Sequence, residues 1–102
     1  MNSDSHQIQA LKNRYKSSLS EKAETIGEHL EAVSDSDQVD ITKLEIIRND
    51  LHKFAGSSGM YGYDDIADIA RNAMAIIDGH NIEQLHYKLI DLRDLLYEHA
   101  NS

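Results

Sequence analysis

Not one proline interrupts the 102 residues of this chain, and that absence limits its fold more than any other feature. Proline lacks the N–H that a helix interior needs and clashes with the preceding turn, whereas loops use it freely. A proline-free chain of this length is expected to consist of long helices with few, short connections. Apolar periodicity agrees. Ile8, Leu11, Tyr15 and Leu19 recur at helical spacing, and Ala23, Ile26, Leu30 and Val33 continue the pattern after Ser20, which either caps a fresh helix or sits at a bend. Residues 34–40, SDSDQVD, read as a loop. Thr42 with Glu45 resembles a capping box opening the next helix, which carries Leu44, Ile47, Leu51, Phe54 and Ala55 on one face.

Asp64 and Asp65 favour a further helix start through capping and their sign at the positive end of the dipole. Ile66, Ile69, Ala70, Ala73 and Ile77 follow, with Gly79 as the stop. Asn81 caps the last helix, with Gln84 three residues on and a stripe of Leu85, Leu89, Leu92 and Leu96. The simplest way to bury these stripes with short connections is an all-α, antiparallel four-helix bundle, with room for a short extra N-terminal helix. Residues 1–102 are expected to form one domain, because two cores in this length would each be marginal.

Composition narrows the function. Without cysteine there is no disulfide framework, thiolate metal site or cysteine nucleophile, and nothing ties the chain to an oxidising compartment. Residues 1–10 lack the basic and apolar segments of a secretory signal, and no apolar run approaches the roughly 20 residues of a membrane span. A cytoplasmic location follows as the expectation. Ten basic against 18 acidic side chains leave a net charge of -8, which repels phosphate backbones and anionic headgroups, so neither nucleic acid nor membrane is an expected partner. Nothing in the pattern demands oligomerisation, and a monomer is expected. Met1 and the polar end at Asn101 and Ser102 favour a free-standing protein over a piece of a larger sensor.

The segment LHKFAGSSGMYGY, residues 51–63, places glycines where helix propensity opposes them, each interior glycine costing about 1 kcal/mol relative to alanine. At about 100° per residue, Gly56 and Gly59 lie within about 40° of the direction of His52, and the stripe through Leu51 centres about 100° away. His52 therefore projects from the bundle beside a bare patch of backbone. Arg48 lies one turn earlier on the same side and Lys53 is adjacent, so cations stand near an imidazole that another protein can approach. Periodicity leaves a plainer reading open, in which the glycines end the helix and allow close packing and His52 is an ordinary surface residue. Gly62 reads as a structural C-terminal cap.

Other chemistries fit poorly. Ser57 and Ser58 stand five and six residues from His52, off the positions that would meet it on a helix, and read as packing or surface hydroxyls. GSSGMYG lacks the Lys-Ser/Thr ending of a P-loop and follows a helix where a strand is required, so no nucleotide site is expected. Glu83 with His86 makes one Glu-x-x-His pair, but a carboxylate-bridged metal centre needs two facing inward, and no metal site is expected. His6, His29, His80, His86 and His99 read as scattered surface histidines.

The same segment resembles the signature of the histidine-containing phosphotransfer (Hpt) domain family. That pattern is a histidine, an apolar residue two on, a glycine four on, small residues after it and a second glycine seven on. Here these are His52, Phe54, Gly56, Ser57 with Ser58, and Gly59, closed by Gly62 and Tyr63. The layout is similar too, since the family is an antiparallel four-helix bundle, often with a short N-terminal helix, and its histidine lies on the second bundle helix. Many members carry lysine three residues after the histidine, where this chain has Ala55, so a supporting cation must come from elsewhere, with Lys53 and Arg48 as candidates.

The resemblance implies a phosphorelay intermediate in which His52 accepts a phosphoryl group from an aspartyl phosphate on one receiver domain, in a hybrid sensor kinase, and passes it to a response regulator's receiver. It implies no cofactor on this chain, with Mg²⁺ on the receiver, and no kinase activity of its own. Gly56 and Gly59 would let the receiver approach. Elementary chemistry is compatible: an imidazole titrates near about 6.5, so its neutral form offers a nucleophilic nitrogen without a dedicated base. The rival reading is a helical adaptor that docks on a receiver or another signalling protein without being phosphorylated. An intrinsic histidine kinase is disfavoured by the missing nucleotide motif.

Overall fold

The computed structural model describes residues 3–34 and 39–102. Five helices follow in order: α1 (Ser3–Ser17), α2 (Leu19–Ser34), α3 (Ile41–Met60), α4 (Asp64–Asp78) and α5 (Ile82–Ala100). No strand occurs among the described residues. α2 packs on α5, α5 on α4 and α4 on α3. Each neighbouring pair is antiparallel: Arg48 meets Asp78 and Gly59 faces Ala67 between α3 and α4, His99 meets Asp65 and Ile76 lies beside Gln84 between α4 and α5, and Val33 at the end of α2 lies beside Ile82 at the start of α5. This is the four-helix bundle expected from the stripes, preceded by an extra helix. None of these helices is long and apolar enough to cross a membrane.

The core is the sum of the predicted stripes. Leu19, Ala23 and Ile26 of α2, Leu51 of α3, Ile66, Ala70 and Ala73 of α4 and Leu85, Leu89, Leu92 and Leu96 of α5 are completely buried. Each leucine or isoleucine so buried contributes about 1.5–3 kcal/mol. Alanines at 67, 70 and 73 keep the buried face of α4 thin, which lets α3 and α5 close on it from either side.

α1 departs from expectation. Of its stripe only Tyr15 is buried, while Ile8 and Leu11 are about half exposed. The break falls at Ser18, two residues before the anticipated Ser20: the Ser18 amide and hydroxyl both donate to the Tyr15 carbonyl, at 2.9 and 2.6 Å. A serine side chain competing for backbone carbonyls in this way is a common cause of a helix interruption. Beyond the break α1 runs past the end of the bundle, which gives the molecule its 56 × 23 × 20 Å extents.

The caps refine the predicted boundaries. α3 is capped by Asp40, whose carboxylate accepts from the Thr42 amide at 3.0 Å, so the helix opens ahead of the Thr42–Glu45 box. α3 ends in a Schellman motif, with Tyr63 N–H donating to the Ser58 carbonyl and Gly62 N–H to that of Gly59. Gly62 holds the left-handed position at φ 87°, as its reading as a cap requires. α4 ends at Gly79 by the same device shifted one residue, with His80 taking the left-handed position at φ 58°. Asn81 caps α5 through the Gln84 amide as expected.

Candidate functional site

α3 exposes one face along its length, and His52 stands near its middle. The side chain is exposed and makes no hydrogen bond or ion pair among the described residues. Leu51, Phe54, Ala55 and Ser58 are buried on the other side, so helical geometry alone turns His52 outward. One turn on, a Cβ added at Gly56 would meet nothing within 4 Å. The backbone there is open to an approaching surface, and packing within this chain does not explain the glycine.

Gly59 differs. A Cβ there would lie 3.9 Å from a terminal guanidinium nitrogen of Arg71 and 4.0 Å from the Ala67 methyl. This is ordinary contact, so the glycine leaves a seat that the arginine of α4 covers. With Gly59 opposite Ala67 and Arg48 opposite Asp78, the register places the backbone of Arg71 level with Ala55, about 5 Å of helical rise from His52. Arg71 also donates to Asp68 at 2.9 Å, a pair more than half exposed on both sides. Sequence reasoning missed Arg71, because it lies 19 residues from His52 and only the α3–α4 register joins them.

The expected supporting cations are placed differently from each other. Lys53 is exposed beside His52. Arg48 is engaged in a two-point contact with Asp78, Nε to Oδ1 at 2.9 Å and Nη2 to Oδ2 at 3.0 Å. The hydrogen bonds and charge of this pair raise the guanidinium further above its ordinary value and hold Asp78 below the usual carboxylate range. Ala55 is buried against the core and has no outward direction to offer.

Behind this face the end of α3 is pinned. The Tyr15 hydroxyl lies 2.9 Å from Ser57 Oγ and 2.8 Å from Ser58 Oγ, and Ser58 is completely buried. Both serines are thus packing hydroxyls. Tyr15 stacks on Tyr61 with centroids 4.7 Å apart and meets Tyr63 at 5.8 Å, and Tyr63 meets His99 edge-on. Two of the remaining histidines are more than scattered surface groups. His29 contacts Asp50 at 2.7 Å across α2 and α3, and His99 contacts Asp65 at 2.7 Å across α5 and α4. No three His, Asp or Glu side chains converge as metal ligands among the described residues. A groove of about 830 Å³ lies between α2 and α5 and shares no residue with the α3 face.

The arrangement offers an exposed imidazole on a helix, open backbone beside it and cations within a turn. It suits chemistry completed at the surface of a second macromolecule. Among protein families, the model described as Hpt domain matches residues 10–101. No curated protein and no solved structure matches at a significant level.

Proposed function

The chain belongs to the Hpt domain family, whose members are histidine phosphotransfer carriers of two-component signalling, and from that premise we propose that His52 is the phosphoacceptor of a phosphorelay intermediate. The observation that carries the reading is the exposed, unpartnered His52 beside Gly56, a glycine that packing within this chain does not require. In the proposed step a lone pair of an imidazole nitrogen attacks the phosphorus of a receiver's aspartyl phosphate. The P–O bond breaks with its electron pair left on the carboxylate, an N–P bond forms, and the surplus imidazolium proton passes to water. The reverse step delivers the phosphoryl group to the second receiver.

Phosphoryl transfer demands mainly in-line positioning and charge neutralisation. The receiver would supply Mg²⁺ and the acidic pocket, and this chain a rigidly held nucleophile. Gly56 opens the backbone to the receiver, and Lys53 offers an exposed cation at the contact between two acidic proteins. The partners are the receiver of a hybrid sensor kinase upstream and that of a response regulator downstream.

Incubation with a phosphorylated receiver domain tests the reading. Acid-labile phosphate should appear on the chain and be lost in His52→Gln with the helical circular dichroism unchanged. Stable binding of the receiver without label would favour a docking adaptor instead.

A further inference from the structure

A phosphoryl group on His52 would add negative charge to a surface that already carries a net charge of -8, so the cation that meets it matters. The three nearby differ in availability. Both nitrogens that Arg48 directs at Asp78 are already bound to its carboxylate. Lys53 leaves the helix about 100° round from His52. Arg71 donates a single bond, to Asp68, in an exposed pair of the kind that holds weakly. Its other terminal nitrogen rests over the Gly59 backbone. Between that seat and His52 the side of α3 that faces α4 carries Ala55, whose methyl is buried against the core, while Gly56 points away from α4 with nothing within 4 Å, so no long side chain of α3 blocks a swing of the guanidinium from one to the other. Phosphate oxygens also hold a guanidinium more strongly than one exposed carboxylate contact does.

We propose that Arg71 is the phosphoryl-binding cation of this protein, exchanging Asp68 for the phosphoryl oxygens past Ala55 when His52 is phosphorylated. In this reading Gly59 seats the arginine at rest and the short side chain of Ala55 leaves its path clear. The inference rests on His52 being the phosphoacceptor.

Potassium phosphoramidate tests it without any receiver. Its P–N bond breaks as the His52 nitrogen attacks, and ammonia leaves with the imidazole proton. ³¹P NMR then follows the last ionisation of the phosphohistidine. A guanidinium beside the group favours the dianion, so the titration midpoint should move up by at least about 0.5 pH unit in Arg71→Gln and return most of the way in Arg71→Lys. Asp68→Asn, which releases the arginine, should move it down, and Arg48→Gln should leave it in place. A merely structural Arg71 would give none of this ordering. Identical midpoints in the wild type and Arg71→Gln would overturn the inference alone. Absence of any phosphohistidine signal that His52→Gln removes would overturn the phosphoacceptor reading and this inference together.

Discussion

Replacing Tyr15 with phenylalanine removes one oxygen and should destabilise the protein by about 2 kcal/mol. The hydroxyl lies within 2.9 Å of both Ser57 Oγ and Ser58 Oγ. Ser57 is half-buried and can turn to water, but Ser58 has no exposed surface, so its hydroxyl loses its partner with no solvent to replace it. A lost hydrogen bond is worth about 0.5–1.5 kcal/mol net, and a buried orphaned hydroxyl adds about 1–3 kcal/mol. Rotation of Ser58 Oγ towards a carbonyl one turn back recovers part of that, which sets the figure near about 2 kcal/mol. For a domain of this size the melting temperature should fall by about 8–16 °C.

Ser58→Ala should cost less than about 1 kcal/mol, because Tyr15 keeps Ser57 as a partner and no buried group is orphaned. The double variant Tyr15→Phe with Ser58→Ala should then be more stable than Tyr15→Phe alone, giving a coupling of at least about 1 kcal/mol. Urea unfolding followed by far-ultraviolet circular dichroism measures all four species. An additive cycle, or a Tyr15→Phe cost under about 0.5 kcal/mol, would refute the claim that this hydroxyl pins the end of α3.

The exposure of α1 predicts that Ile8→Gln with Leu11→Gln changes stability by less than about 0.5 kcal/mol, whereas Leu89→Ala, in the same urea titration, should cost about 2–5 kcal/mol. Gly56→Ala should raise stability by about 0.5–1 kcal/mol, since the added methyl meets nothing. A bulkier Gly56→Leu should block labelling by a phosphorylated receiver while the helical circular dichroism persists. Gly62→Ala, which places a Cβ at φ 87°, should cost about 1–2 kcal/mol in thermal melts. Partial burial works to raise the Asp65 carboxyl, but the hydrogen bonds it accepts from His99 and the Ile66 amide, with the charge of His99, outweigh it and hold the group below its ordinary value of 3.8. The folded state then binds fewer protons than the unfolded chain, so this contribution is fully present above the ordinary value and lost as pH falls through the folded one. Asp65→Asn should cost under about 1 kcal/mol at neutral pH, and the gap from wild type should close below about pH 4 in stability measured against pH.

Particular residues show why some of this was legible in the sequence. Leu85, Leu89, Leu92 and Leu96 line up by helical period, and all four are fully buried. Gly62 and Asn81 signalled their caps because capping is a local matter of one side chain and the next turn. Ile8 and Leu11 carried the same period and misled, because periodicity states which face of a helix is apolar and not whether another helix is there to cover it. Asp40 outcompeted the Thr42–Glu45 box for the start of α3, a choice between adjacent caps that spacing does not resolve. Gly79 marked the end of α4, but the left-handed position fell to His80, one residue later than glycine preference suggests.

The candidate site divides in the same way. The outward direction of His52, the cleared patch at Gly56 and the burial of Leu51 and Phe54 all follow from a helix of 100° per residue, and the sequence by itself determined them. Only the tertiary structure decided which cations are free. Arg48 is held by Asp78 and Arg71 covers Gly59 because α3 and α4 run antiparallel in one register. Contacts between residues 12 and 30 positions apart depend on how two helices slide past each other in packing, and no local spacing encodes that.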